Sequence, residues 1–252
     1  MVDAAVASVG TTRPRWAQWR PGRDTIWALA SIALMWLCYW SNTMLEQRQS
    51  WLSLVVFFIV GNIVVCTVIP AWVVTRGTDE GWAGLGFTRN RLVISLVITV
   101  VMSAGSLTYF LQLAQASGVD PVQHLAYNMV ILWEPLFVYG WLYLRFRRAF
   151  GWLPGIVLAA AGFAGYHLGS VPLSLLAVYF STGLLFSILM AITRNLWVIF
   201  PLASGISSGI GTVQAGLEFT WETAATGAVV LLVQGLVLWL IFRSRPALKG
   251  QR

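Results

Sequence analysis

The chain has 252 residues, 58% hydrophobic and only 10% charged, with a formal net charge of +7. Soluble domains carry roughly 25% charged residues, so this composition excludes a water-facing globule. In lipid the backbone must satisfy itself, which leaves helices or closed barrels. The apolar runs are about 18–25 residues long, a length that suits helices crossing roughly 30 Å of hydrocarbon rather than barrel strands of about 10 residues.

Residues 1–24 are mostly polar and read as a cytoplasmic tail rather than a cleavable signal. Within them, Trp16-Ala17-Gln18-Trp19-Arg20 is expected on the inner membrane surface. Eight spans follow, at 25–42, 51–74, 92–114, 126–144, 153–169, 172–193, 195–213 and 225–242. The fold class is therefore all-α, one polytopic membrane domain over 25–242, with a second cytoplasmic tail at 243–252. Cys38 and Cys66 fall inside apolar runs and read as small buried hydrophobes. The longest inner loop, 75–91, holds the turn-rich stretch Gly81-Trp82-Ala83-Gly84-Leu85-Gly86-Phe87.

Charge placement sets the direction. With the N-terminus inside, Arg13, Arg15, Arg20, Arg23, Arg76, Arg89, Arg91, Arg145, Arg147, Arg148, Arg194, Arg243, Arg245, Lys249 and Arg252 are all cytoplasmic. Only Arg48 falls outside, and Glu46, Asp120, Glu218 and Glu222 share its side. A miscounted span would invert every later loop. The cationic excess thus serves topology and anionic headgroups, not nucleic acid. A multi-pass plasma-membrane protein with both termini cytoplasmic is expected, its first partner the lipid bilayer.

Glu134 alone among the nine acids lies well inside a span, and an ionisable group in hydrocarbon is a functional candidate by default. The bland alternative is a protonated, hydrogen-bonded glutamate. His167 lies in the outer part of the fifth span, where a packing histidine is the alternative. Glu134 is roughly 16 Å from Arg145 at the helical rise, and His167 roughly 21 Å from the start of its span. The two can share a level and activate a water, or hold a metal that does so. Pro135 predicts a kink beside Glu134. His124 and Asn128 are spaced for one helix face, but their depth predicts an outer loop and cap. On the seventh span Gly205 and Gly209 are spaced by four, as are Ala161, Gly165 and Gly169 on the fifth, which predicts close helix packing. Ser204 shares the depth of Glu134, so a hydroxyl-lined path is the other reading.

Glu134-Pro-Leu-Phe-Val-Tyr-Gly-Trp-Leu142 resembles the first motif of the CPBP family, the CAAX-protease and bacteriocin-processing (Abi, Rce1-like) membrane proteins. That motif reads EExxxR, commonly within EExxFRGxL. Glu134, Gly140 and Leu142 match, whereas Pro135 and Tyr139 stand at its second Glu and its Arg. Phe163-Ala-Gly-Tyr-His167 fits the second motif, FxxxH. Gly183-Leu-Leu, Thr193 and Leu196-Trp197 look like the stretch before the third motif, HxxxN. Ala203 and Ser207, or Ser204 and Ser208, occupy its positions. Leu85-Gly86-Phe87 resembles a loop that precedes the family's core helices, so the resemblance runs over about 80–213.

The resemblance implies an intramembrane endopeptidase acting on a membrane or lipidated peptide. It makes Glu134 the water-activating base and His167 a metal ligand or oxyanion stabiliser. The family's zinc would then rest on His167 and Glu134, fewer than the three protein ligands a catalytic zinc needs. Three readings stay open: a reduced-site endopeptidase, a non-catalytic pseudo-protease that binds a partner or lipidated peptide, and a small transporter using Glu134. The sequence leaves oligomeric state undetermined.

Overall fold

The computed structural model describes residues 16–45, 50–78 and 80–244. Arg13, Arg15, Glu46, Arg48, Arg245, Lys249 and Arg252, which entered the charge argument, lie outside the described residues.

Helix α1 (Arg23–Leu45) opens with Asp24 in its first turn, where a carboxylate meets the positive end of the helix dipole. Helix α2 occupies residues 50–78 as one rod, its turns widened to i→i+5 over Val55–Val68 and Val74–Thr78. The widening sets the Thr67 hydroxyl on the carbonyl of Asn62, five residues back. A 3₁₀ turn, Gly81–Leu85, leads to α3 (Leu92–Ser117) and to the short α4 (Pro121–Met129). Asp120 caps α4 by accepting from the backbone of Val122 and Gln123. Then come α5 (residues 133–150), α6 (Trp152–Gly165), α7 (Leu173–Thr193), α8 (Leu202–Gln214) and α9 (Trp221–Arg243).

Five helices, Arg23–Leu45, Trp51–Arg76, Leu92–Ser117, Leu173–Thr193 and Trp221–Arg243, are long and apolar enough to cross a membrane. Much of their apolar surface faces outward, including Val93, Val97 and Val101 on α3 and Leu232, Leu236 and Leu240 on α9. Water would not tolerate that surface, and lipid would. The protein is a multi-pass membrane protein. Of the eight expected spans, the fifth and seventh shorten to α6 and α8, with 14 and 13 residues. At about 1.5 Å per residue, each reaches only about 20 Å.

The expected fourth span, 126–144, is not continuous. Helix α4 ends at Met129, residues 130–132 interrupt it, and α5 begins at Trp133. Pro135 gives the reason. In an unbroken helix its ring would press on the carbonyl of Ile131 and leave that carbonyl unbonded. A fresh start at Trp133 puts Pro135 in a first turn, where no N–H is needed. The predicted kink is thus a break.

Helix α5 is the core of the molecule. Leu136 through Tyr143 are all buried, with α6, α7 and the 81–85 turn packed on them. Gly183 of α7 meets α6 so closely that a Cβ there would come within 2.8 Å of the Ala160 Cα. The expected ladder Ala161, Gly165, Gly169 is not this contact. Nothing lies within 4 Å of a Cβ at Gly165, and Gly169 sits in a turn at φ +87. Ala160 makes that contact instead, and Gly162, on another side of α6, lies against Ile32 and Leu142. On α8 the small residues do pack: Gly205 against the backbone of Met129 and Gly209 against the Phe110 ring.

One end of the bundle gathers the chain's described extremities. Backbone bonds tie Gln18 and Arg20 to Phe150 and Ala149. Asp24 at the start of α1 faces Arg145 on α5. Trp82 stacks on Phe242 near the end of α9 at 4.3 Å.

Candidate active site

Glu134 is the second residue of α5, at the end where unpaired N–H groups favour a carboxylate. It is half-buried, and its Oε2 accepts from the Tyr166 hydroxyl at 3.3 Å. His167 is not inside a helix. It lies in the turn just beyond α6, with its Nδ1 2.8 Å from the carbonyl oxygen of Phe163. A carbonyl only accepts, so Nδ1 carries the proton and the neutral ring keeps its lone pair on Nε2. The bond explains the four-residue spacing of Phe163 and His167: the side chain satisfies a last-turn carbonyl that the helix leaves free.

Helices α5 and α6 are antiparallel neighbours joined at Gly151. The start of one therefore stands beside the end of the other. Tyr166 spans the gap, bonding Glu134 through its hydroxyl while its ring lies 4.3 Å from the His167 ring. Tyr39 of α1, Tyr179 of α7 and Phe163 complete the wall, at 4.8, 4.4 and 5.3 Å from that ring. The sequence reading missed Tyr39, Tyr166 and Tyr179. Tyr166 carried a signal in its place beside His167, but Tyr39 and Tyr179 are distant in the chain and only packing brings them in.

The other motif positions fall nearby or elsewhere. Phe163 is buried and lies against Tyr139, Tyr166, His167 and Tyr179. Tyr139 lies against the rings of Phe163 and Phe186. Its buried hydroxyl finds no partner among the described residues. Pro135 is in the first turn of α5, next to Glu134. Ser204 turns its hydroxyl back to Pro201 O at 3.4 Å, and Ser208 is half-buried on the same helix. The main neighbours of α8 are α3 and α4.

His124 and Asn128, expected in an outer loop, are instead buried on α4. Asn128 donates to His124 O at 2.8 Å and to the Thr212 hydroxyl at 3.3 Å, while Phe219 covers the His124 ring at 5.0 Å. Helix rise gave their distance from Arg145 along one axis. It could not show that the chain breaks at 130 and that α4 leans on α8 and α9.

Zinc does not fit the donor set. Among the described residues no group of three or more His, Cys, Asp and Glu could hold a metal ion. Glu134 and His167 alone fall short of the three ligands of a catalytic zinc.

Residues 124–203 match the family model described as type II CAAX prenyl endopeptidase Rce1-like. The match covers both α5 and the Phe163–His167 turn, so the resemblance to the CPBP family holds over the segment that carries Glu134 and His167. No curated protein and no solved structure gives a match.

Proposed function

Proceeding from that match, we propose that the protein is a CAAX-type intramembrane endopeptidase with a reduced, metal-free site, acting on a membrane-anchored or lipidated peptide. The observation that carries this reading is Tyr166, which holds Glu134 by its hydroxyl and His167 by its ring. A water between the two would donate one hydrogen to the Glu134 carboxylate and the other to His167 Nε2. Its oxygen would attack the peptide carbonyl carbon as its proton passes to Glu134, which then delivers that proton to the departing amide nitrogen. Tyr39 and Tyr179, whose rings flank His167, would supply hydroxyl donors to the developing oxyanion. Both termini on the cytoplasmic side of a plasma membrane belong to the same proposal, from the placement of the arginines.

The test is cleavage of a panel of membrane and prenylated peptides by purified protein, with bound metal measured on the same sample. Glu134→Gln and His167→Ala should each lower turnover by about 10²–10⁴-fold, the usual range for general acid–base groups. Tyr166→Phe keeps the ring and should cost about tenfold, the size of one hydrogen bond to a charged group. Stoichiometric zinc in the parent would overturn the metal-free chemistry.

A second reading rests on Ser204, whose hydroxyl is spent on Pro201 at a third-motif position, and on the unpartnered Tyr139. In this reading the cavity binds a partner or lipidated peptide without cutting it. Tight peptide binding with no cleavage by the parent protein would select it over the first.

A further inference from the structure

Three arginines from separate elements cluster around Arg194, which feels the charges of both Arg147 and Arg91. Arg91 precedes α3, Arg147 lies near the end of α5, and Arg194 ends α7. Arg91 and Arg194 both hold left-handed backbone at φ 53, a conformation that long side chains seldom adopt without a surrounding lock. Asn195 supplies the lock. Its Nδ2 donates to Thr88 O and Asn90 O at 3.0 and 2.9 Å. Leu196 N donates to Gly86 O at 2.8 Å, and the Arg91 guanidinium donates to Ile192 O. These bonds fix Arg91 beside Arg194.

The neighbouring arginines differ in what answers them. Arg145 meets Asp24 and Glu80, and Arg148 meets Glu80. Among the described residues no carboxylate lies within ion-pair distance of Arg91, Arg147 or Arg194. Burial, together with the like charges of Arg147 and Arg91, lowers the pKa of Arg194. Tyr143, one turn before Arg147, is fully buried beside Arg147 and Arg194, its oxygen turned to the Arg147 guanidinium, and its hydroxyl proton has no acceptor among the described residues. The cluster therefore holds excess positive charge, and the exposed Arg91 and Arg194 and the half-buried Arg147 present guanidinium N–H groups that no described carboxylate receives. Unanswered donors of this kind match the oxygens of a phosphate, to which the planar guanidinium fits bidentately. Beyond the cluster, Val93 and Ile94 on α3 and Ile188 and Ile192 on α7 are exposed apolar side chains, a surface on which acyl chains can lie.

We propose that Arg91, Arg147, Arg194 and Tyr143 form a binding site for a phosphate-bearing anion, either the headgroup phosphate of an anionic lipid or a free phosphate. The site is independent of the endopeptidase reading.

Native mass spectrometry of the full-length protein in detergent tests it, with phosphatidylglycerol, phosphatidylcholine and inorganic phosphate added separately. The variants are Arg147→Gln, Arg91→Asn and Arg194→Asn, the asparagines keeping left-handed backbone accessible. Arg243→Gln, on a different helix and stacked on Trp239, is the control. Removing one charge-assisted contact weakens binding by roughly tenfold. The expected result is a preference for an anion, lost by about that factor in each cluster variant and kept in Arg243→Gln. Retention of phosphatidylglycerol over phosphatidylcholine assigns the site to lipid, and binding of inorganic phosphate alone assigns it to a soluble anion. If a left-handed variant fails to fold, Arg147→Gln on its regular helix decides the matter. Binding in Arg147→Gln equal to that of the parent, or no anion preference in the parent, overturns the proposal.

Discussion

Gly140→Ala probes the contact on which the core closes. A Cβ at Gly140 would lie 2.6 Å from the Leu85 carbonyl oxygen and 3.4 Å from its carbon. Close C···O contacts lie at about 3.3 Å, so relief needs a shift of about 0.7 Å. The obstacle is backbone, and that backbone is held on every side. Leu85 is fully buried, Gly84 O accepts from Arg145, and Gly86, at φ 80, accepts from Leu196 N at 2.8 Å. Overpacking a tight core costs about 1–3 kcal/mol, and a rigid obstacle puts this site near the top of that range. The better helix propensity of Ala returns about 0.5–1 kcal/mol, which leaves a net loss of about 2 kcal/mol. For a chain of this size that is about 4–8 °C in Tm. Cys38 and Cys66 are both free and buried, so a thiol-reactive dye reports unfolding in detergent. Gly105→Ala is the control, because nothing lies within 4 Å of a Cβ there, and it should leave Tm unchanged or slightly raised. A Gly140→Ala protein that melts with the parent would refute the argument, as would a Gly105→Ala protein that loses as much.

Two further substitutions test what ties the loops to the bundle. Arg145, 2% exposed, lies 2.6 Å from Glu80 and 3.6 Å from Asp24 and 5.6 Å from the Trp141 ring centroid. Breaking a buried pair costs about 3–5 kcal/mol, but Glu80 is 35% exposed and keeps Arg148, so Arg145→Met should cost about 2–3 kcal/mol in the same thermal assay. Arg145→Lys should recover less than half, since one ammonium cannot reach Asp24, Glu80 and Gly84 O together; full recovery would show that charge alone matters. Asn195→Ala removes the bonds to Thr88, Asn90 and Trp197 N. At about 1 kcal/mol per buried hydrogen bond, a loss of about 2–3 kcal/mol is expected, and an unchanged Tm would mean that the loops hold without it.

The motif letters were legible before their reasons were. Gly140 and Leu85-Gly86-Phe87 were noted as separate points of resemblance, yet the structure makes them one contact. Phe163 and His167 were read as a spacing, and prove to be a ring packed on a ring with a side chain closing a helix end. The break before Glu134 was harder to see. Pro135 signalled an irregularity, but its ring is equally compatible with a kink or with a new first turn. The structure takes the new start, with α4 packed on α8 and α9. His124 and Asn128, read as loop and cap, prove buried on a helix of their own because α4, separate from α5, leans on α8 and α9.

By itself the sequence determined the solvent. A chain with 10% charge and long apolar runs has no stable place but a membrane, and its backbone no stable form but helices, because hydrocarbon offers neither water nor hydrogen-bond partners. It also named Glu134 and His167, since ionisable groups in such runs are few. What the tertiary structure alone decided is their company. Tyr39, Tyr166 and Tyr179 reach His167 from α1, the end of α6 and α7, and the unanswered Arg91, Arg147 and Arg194 meet from three separate elements. Composition and spacing act along the chain, whereas these neighbours are set by which helix faces pack together, and that depends on side-chain shapes across the whole bundle.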